Sequence, residues 1–153
     1  MSIVPKGWNE HAAYLVSERA YLLHTEGRYR ESIALFEGLL EIYPDNLYYR
    51  DAISALCLSL GDPEQAVRHA TSIIASAPNY TKAYVRRCEG YLLIGMSEEA
   101  KRDLERLKEL RAFESARRME MRLMAVRKMQ AEQTNHGIEK VPFDTQLAAA
   151  GRR

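Results

Sequence analysis

The chain has 153 residues, 46% of them apolar and 28% charged, with 22 basic against 21 acidic side chains. That length suits one domain able to bury roughly 70% of its unfolded surface. A net charge of +1 implies neither nucleic acid nor a membrane surface as partner. The charge is unevenly placed, however: residues 1–100 carry 9 basic and 13 acidic groups, and residues 101–128 carry 10 and 5. No apolar run approaches the roughly 20 residues that a membrane-crossing helix needs. The opening MSIVPKGWNEHA lacks the apolar stretch of a secretory signal, so the cytoplasm is the expected location. Cys57 and Cys88 form no CxxC and fall inside predicted helices, which reads as two small buried thiols rather than a disulfide.

Residues 1–8 form a short arm with Pro5, Gly7 and Trp8, and a first helix follows from about Asn9 to Thr25, so residues 1–12 hold the arm and the start of that helix. Ala13, Val16, Ala20 and Leu23 share one face of it, at helical spacing. Gly27 makes a turn, and a second helix places Ile33, Phe36, Leu39 and Leu40 inward until Pro44 stops it. Pro44-Asp45-Asn46 ends one helix and caps the next. The third helix turns Ile53, Leu56 and Cys57 inward and stops at Gly61. Asp62-Pro63 then supplies a cap and a proline at the first helical position, and Ala66, Ala70, Ile73 and Ile74 form the next stripe. A fifth helix carries Ala83, Tyr84, Arg87, Cys88 and Tyr91 on one face before Gly95. Ser97 is the expected cap of the sixth, whose stripe is Ala100, Leu104 and Leu107. A seventh, about Glu114 to Ala131, has Ala116, Met119, Leu123 and Val126 in phase. From Gln133 the period dissolves, and residues 133–153 are expected to be a flexible tail.

The pattern repeats at 34 residues. Gly27, Gly61 and Gly95 coincide at that period, as do Pro44, Pro78 and Ala112. A helix pair recurring this way cannot bury its apolar stripe alone and stacks on its copies. The units fall at residues 13–46, 47–80 and 81–114, with residues 115–132 as a helix capping the last open face.

These units resemble tetratricopeptide repeats. The small residue of the first helix is Ala20, Ser54 or Cys88, and the alanine position of the second is Ser32, Ala66 or Ala100. An aromatic one turn on is present only as Phe36, becoming Ala70 and Leu104, and the closing proline is lost at Ala112. The resemblance covers residues 13–114, two thirds of the chain. It implies an all-α, right-handed superhelix of about seven helices whose concave groove takes a peptide or helix of a partner protein.

Carried over position by position, the groove displays Tyr14, Ser17, Tyr21 and His24 from the first unit. The second offers Tyr48, Asp51, Ala55 and Leu58, and the third Lys82, Val85, Arg86, Glu89 and Leu92. Lys82 and Arg86 are similar to the lysine and arginine that grip a terminal carboxylate in co-chaperone members of the family. That grip also needs a lysine and two asparagines, where Ser17, Tyr21 and Ala52 stand. A solvated basic patch is the alternative for this pair. The seventh helix joins Arg117, Arg118, Arg122, Arg127 and Lys128 to four methionines. It reads either as a cap with a solvated basic face or as a second docking surface for an acidic partner or anionic lipid.

Catalytic patterns do not emerge. The sequence holds no glycine-rich phosphate loop, GxSxG or HExxH, and its four histidines share no metal-ligand spacing with each other or with the cysteines. The expectation is a non-enzymatic binding module without cofactor or metal, a monomer or weak dimer. In size and layout it also resembles the tetratricopeptide chaperones of type III secretion. Three roles stay open: a secretion chaperone or export-apparatus partner, an adaptor for acidic C-terminal tails, and an assembly scaffold acting through the seventh helix.

Overall fold

The computed structural model of the protein describes residues 4–139, with side chains through Asn135. Those residues form seven α-helices and no strand: α1 (Glu10–Thr25), α2 (Tyr29–Ile42), α3 (Leu47–Leu60), α4 (Pro63–Ser76), α5 (Thr81–Leu93), α6 (Ser97–Glu109) and α7 (Phe113–Glu139). Each helix packs on its sequence neighbour, and α3 and α7 also touch α5, so the odd-numbered helices line one side of the stack. The result is a right-handed superhelix of three helix pairs and a closing seventh helix.

Local chemistry places the helix ends. Asn9, Asn46 and Asp62 each accept a hydrogen bond from the amide three residues on, capping α1, α3 and α4. Gly27, Gly61 and Gly95 sit at φ of 76°, 81° and 80°, the left-handed region that ends the first helix of each pair at little cost only for glycine. After α6 the same turn is made by Arg111, at φ 59°, which carries the strain of a side chain there.

The apolar stripes meet as their spacing implies. Ala20, Phe36, Leu39, Ile53 and Ala66 belong to a core of the first two units, and Cys88, Leu104, Leu107, Met119 and Leu123 to one shared with α7. Each fully buried Leu or Ile contributes about 1.5–3 kcal/mol. At the crossing of each pair the two small residues face each other, and one donates to the other's carbonyl. The Ser32 hydroxyl reaches Ala20 at 2.6 Å, that of Ser54 reaches Ala66 at 2.9 Å, and the Cys88 thiol reaches Ala100 at 3.4 Å. Small side chains therefore let the helices approach, and the polar ones are satisfied where they are buried.

Two expectations change. Ser97 does not cap α6: it is the first helical residue, and its hydroxyl donates to Gln130 on α7. Helix α7 runs past Ala131 to Glu139, so the helix covers the start of the segment expected to be a tail. The physical reason for its length is visible up to Gln130, whose amide reaches back to the Gly95 carbonyl, while Arg127 pairs with Glu98. The remainder of that segment, residues 140–153, lies outside the described residues.

Candidate functional site: the concave groove

The inner faces of α1, α3 and α5 close around a cavity of about 200 Å³ lined by Tyr21, His24, Tyr48, Asp51, Lys82 and Arg86, with Phe36, Ala52, Ala55 and Leu56 beneath them. Residues far apart in sequence thus share one surface because equivalent positions of successive units lie side by side. Tyr21 and Tyr48 stand exposed at its rim. Tyr48 meets Phe36 edge-on at 6.3 Å between ring centroids, and Tyr21 meets His24 likewise at 6.2 Å. Such rings offer apolar contact area at a low entropic cost and a hydroxyl for orientation.

The other candidates extend this surface. Tyr14 and Ser17 line a neighbouring hollow with Tyr48, toward the start of α1. Leu58, Glu89 and Arg122 line another with His24 and Arg86, toward the end of α3. Val85 is half-buried and lines a third with Lys82, Arg86 and Arg118. Leu92 does not reach the groove: it is 6% exposed and packs with Leu104 and Leu107 in the core. Leu92 follows Tyr84 and Cys88 at four-residue steps on the buried stripe of α5, and Leu93 lines the hollow beside Glu89 instead.

Charge within the groove differs from a simple reading of Lys82 and Arg86 as free cations. Asp51 is 6% exposed, and its Oδ1 faces the Arg86 Nε at 3.4 Å. The two atoms are buried and form an ion pair without hydrogen-bond geometry. Burial, and then the nearby Asp51 carboxylate, push the Tyr80 hydroxyl above its ordinary value. The spacing of Lys82 and Arg86 signalled two cations on one face; it held no signal that the second faces an acid on the preceding unit.

Helix α7 joins the groove as well. Arg122 pairs with Glu89 and Arg127 with Glu98, which ties α7 to α5 and α6. Arg118 faces the cavity that Lys82 shares, whereas Arg117 and Lys128 are exposed and make no ion pair among the described residues. The five basic residues of α7 therefore do not form one separate patch. Met121, Met124 and Met129 are exposed. Burial holds the thiols of Cys57 and Cys88 protonated, up to about 11 and about 12, so neither is a ready nucleophile. No cluster of metal-ligating side chains occurs among the described residues, and none of their helices is long and apolar enough to cross a membrane.

No family model matches the sequence. A stretch of 89 residues, 58% of the chain, is 29% identical to the TPR repeat-containing thioredoxin TTL4 of Arabidopsis thaliana. The chain spans only 13% of that protein's length. Among solved structures, the first TPR of Spaghetti (RPAP3) bound to the HSP90 peptide SRMEEVD superposes with a TM-score of 0.68 at 25% identity. That match covers 77% of this chain and 95% of the other. PcrH, of Pseudomonas aeruginosa, in complex with the chaperone-binding region of PopD, superposes with a TM-score of 0.70 at 19% identity over 81% of this chain and 97% of that one. With the repeated helix pairs, their left-handed glycines and the small-residue crossings, these likenesses show that the chain has the fold of a tetratricopeptide-repeat array, closed by a seventh helix.

Proposed function

We propose that the chain is a protein-interaction module that holds a peptide or helical segment of a partner protein in its concave groove, without catalysing a reaction. The observation that carries this is the convergence of Tyr21, Tyr48, Lys82 and Arg86 from three successive units on one cavity of about 200 Å³. Aromatic walls, an apolar floor and charges at one end suit an extended or helical segment that buries an apolar side chain. Solved relatives in fold hold the HSP90 peptide SRMEEVD and the chaperone-binding region of PopD. On the second likeness, a chaperone or export-apparatus role for a secreted partner is the finer reading, with the cytoplasm as its place.

Site-specific photocrosslinking tests the groove. A benzoylphenylalanine in place of Tyr48 should crosslink to a defined partner segment, and Tyr21→Ala should abolish that crosslink in the same lysate. The same probe at Lys128, on the outer side of α7, should crosslink weakly. Crosslinks from Lys128 alone would mean that α7, acting as an assembly surface, is the binding face.

A second reading, an adaptor for acidic C-terminal tails, is favoured by the SRMEEVD complex of RPAP3. The Asp51–Arg86 ion pair weighs against its usual geometry, since one of the two expected cations is already neutralised.

A further inference from the structure

The acid that neutralises Arg86 changes which groups remain to meet a charged ligand. Arg86 is 31% exposed at its side chain and faces a carboxylate that is 8% exposed, so turning it outward would strand a buried anion. On α7, Arg122 and Arg127 are occupied by Glu89 and Glu98. Two cations are left at this end of the groove: Lys82 on α5 and Arg118 on α7. Both are exposed, neither makes an ion pair among the described residues, and both line one cavity of about 260 Å³ with Thr81, Val85, Ser115 and the Asp51-paired Arg86. Thr81 and Ser115 lie in the first turns of α5 and α7, whose free amides add positive potential to the same place.

We infer that the groove meets an acidic side chain of its partner segment with Lys82 and Arg118, across α5 and α7, while Asp51 withholds Arg86 from that role. The inference rests on the groove reading and deepens it: the partner segment is one with an apolar residue over the Tyr21 and Tyr48 rings and an acidic residue toward α7. An ammonium and a guanidinium from different helices approach a carboxylate from two sides, which fixes its position as well as attracting it.

Titration of fluorescein-labelled SRMEEVD, an acidic peptide, into the full chain tests this by fluorescence anisotropy. Arg118→Gln and Lys82→Gln should each weaken binding about tenfold at low salt, as loss of a charge-assisted contact does, and added salt should erase the difference. The double variant Asp51→Asn/Arg86→Gln removes the ion pair without stranding a charge and should change affinity less than about twofold. Asp51→Asn alone, which frees Arg86, should tighten binding. Loss in the double variant with no loss in Arg118→Gln would overturn the inference in favour of Arg86. A wild-type chain that ignores the peptide would overturn it too. The groove reading would survive either result, because its crosslink at Tyr48 does not depend on an acidic probe.

Discussion

Arg87 of α5 donates through Nε and Nη2 to the two carboxylate oxygens of Asp103 on α6, at 2.9 and 2.7 Å. The guanidinium also lies 5.7 and 5.9 Å from the rings of Tyr84 and Tyr91. Asp103 is 3% exposed, and burial pushes its carboxyl above its ordinary value against the opposing pull of Arg87. Desolvation therefore offsets much of the attraction, and the pair's net contribution is small while breaking it is costly. Arg87→Ala should destabilise the array by about 3–5 kcal/mol, the range for stranding one member of a buried pair. Replacing both, as Arg87→Met/Asp103→Leu, should restore most of it. Urea denaturation followed by circular dichroism distinguishes the two, and equal losses in both variants would refute the account.

The groove's own ion pair makes a parallel case. Arg86→Ala leaves Asp51, with its side chain 8% exposed, without a counter-ion and should cost about 1–3 kcal/mol of stability. Arg117→Ala, on an exposed residue that makes no ion pair among the described residues, should cost under about 0.5 kcal/mol. Thermal melts of the two variants side by side check the contrast, and matching midpoints would mean that Asp51 finds another partner.

Gly90 of α5 packs directly against Val67 and the Pro63 backbone of α4. A Cβ added there would lie 2.6 Å from the Val67 Cγ2 and 3.1 Å from the Pro63 carbonyl oxygen. The side chain can turn aside but the backbone carbonyl cannot, so Gly90→Ala should destabilise by about 1–3 kcal/mol through overpacking. Adding Val67→Ala should recover part of that loss and no more, because Pro63 remains. A double-mutant cycle showing full additivity would place the strain elsewhere.

The Cys88 thiol is pushed up to about 12 by burial, with Asp103 as the next cause, and it donates to the Ala100 carbonyl. Its pKa in the folded chain thus exceeds its ordinary value of 9.0, so the folded state holds the proton more tightly than the unfolded one. The stability this confers is present in full below about pH 9 and is lost as pH rises toward 12. Cys88→Ser, which repeats the Ser54–Ala66 arrangement of the preceding unit, should keep the fold and flatten that alkaline decline. Urea midpoints from pH 8 to 10.5, compared between wild type and variant, read the difference directly. Identical slopes would show that Cys88 does not titrate with unfolding.

Periodicity alone determined most of this protein. The 34-residue spacing of Gly27, Gly61 and Gly95, the inward stripes and the caps at Asn46 and Asp62 are local matters, set by backbone conformation and by helical phase within about 15 residues, and they specify which helices form and which faces they bury. Their superposition also placed Tyr21, Tyr48, Lys82 and Arg86 on one surface, since a repeated unit repeats its orientation. What pairs with what was a different question. Arg87 reads as one more member of a stripe until Asp103 is opposite it, and Arg86 reads as a free cation until Asp51 is beside it. Ser97 reads as a cap until Gln130 takes its hydroxyl. Each of these outcomes depends on the distance and crossing of two helices. A long charged side chain has no preferred partner until packing brings one within reach and removes the water between them.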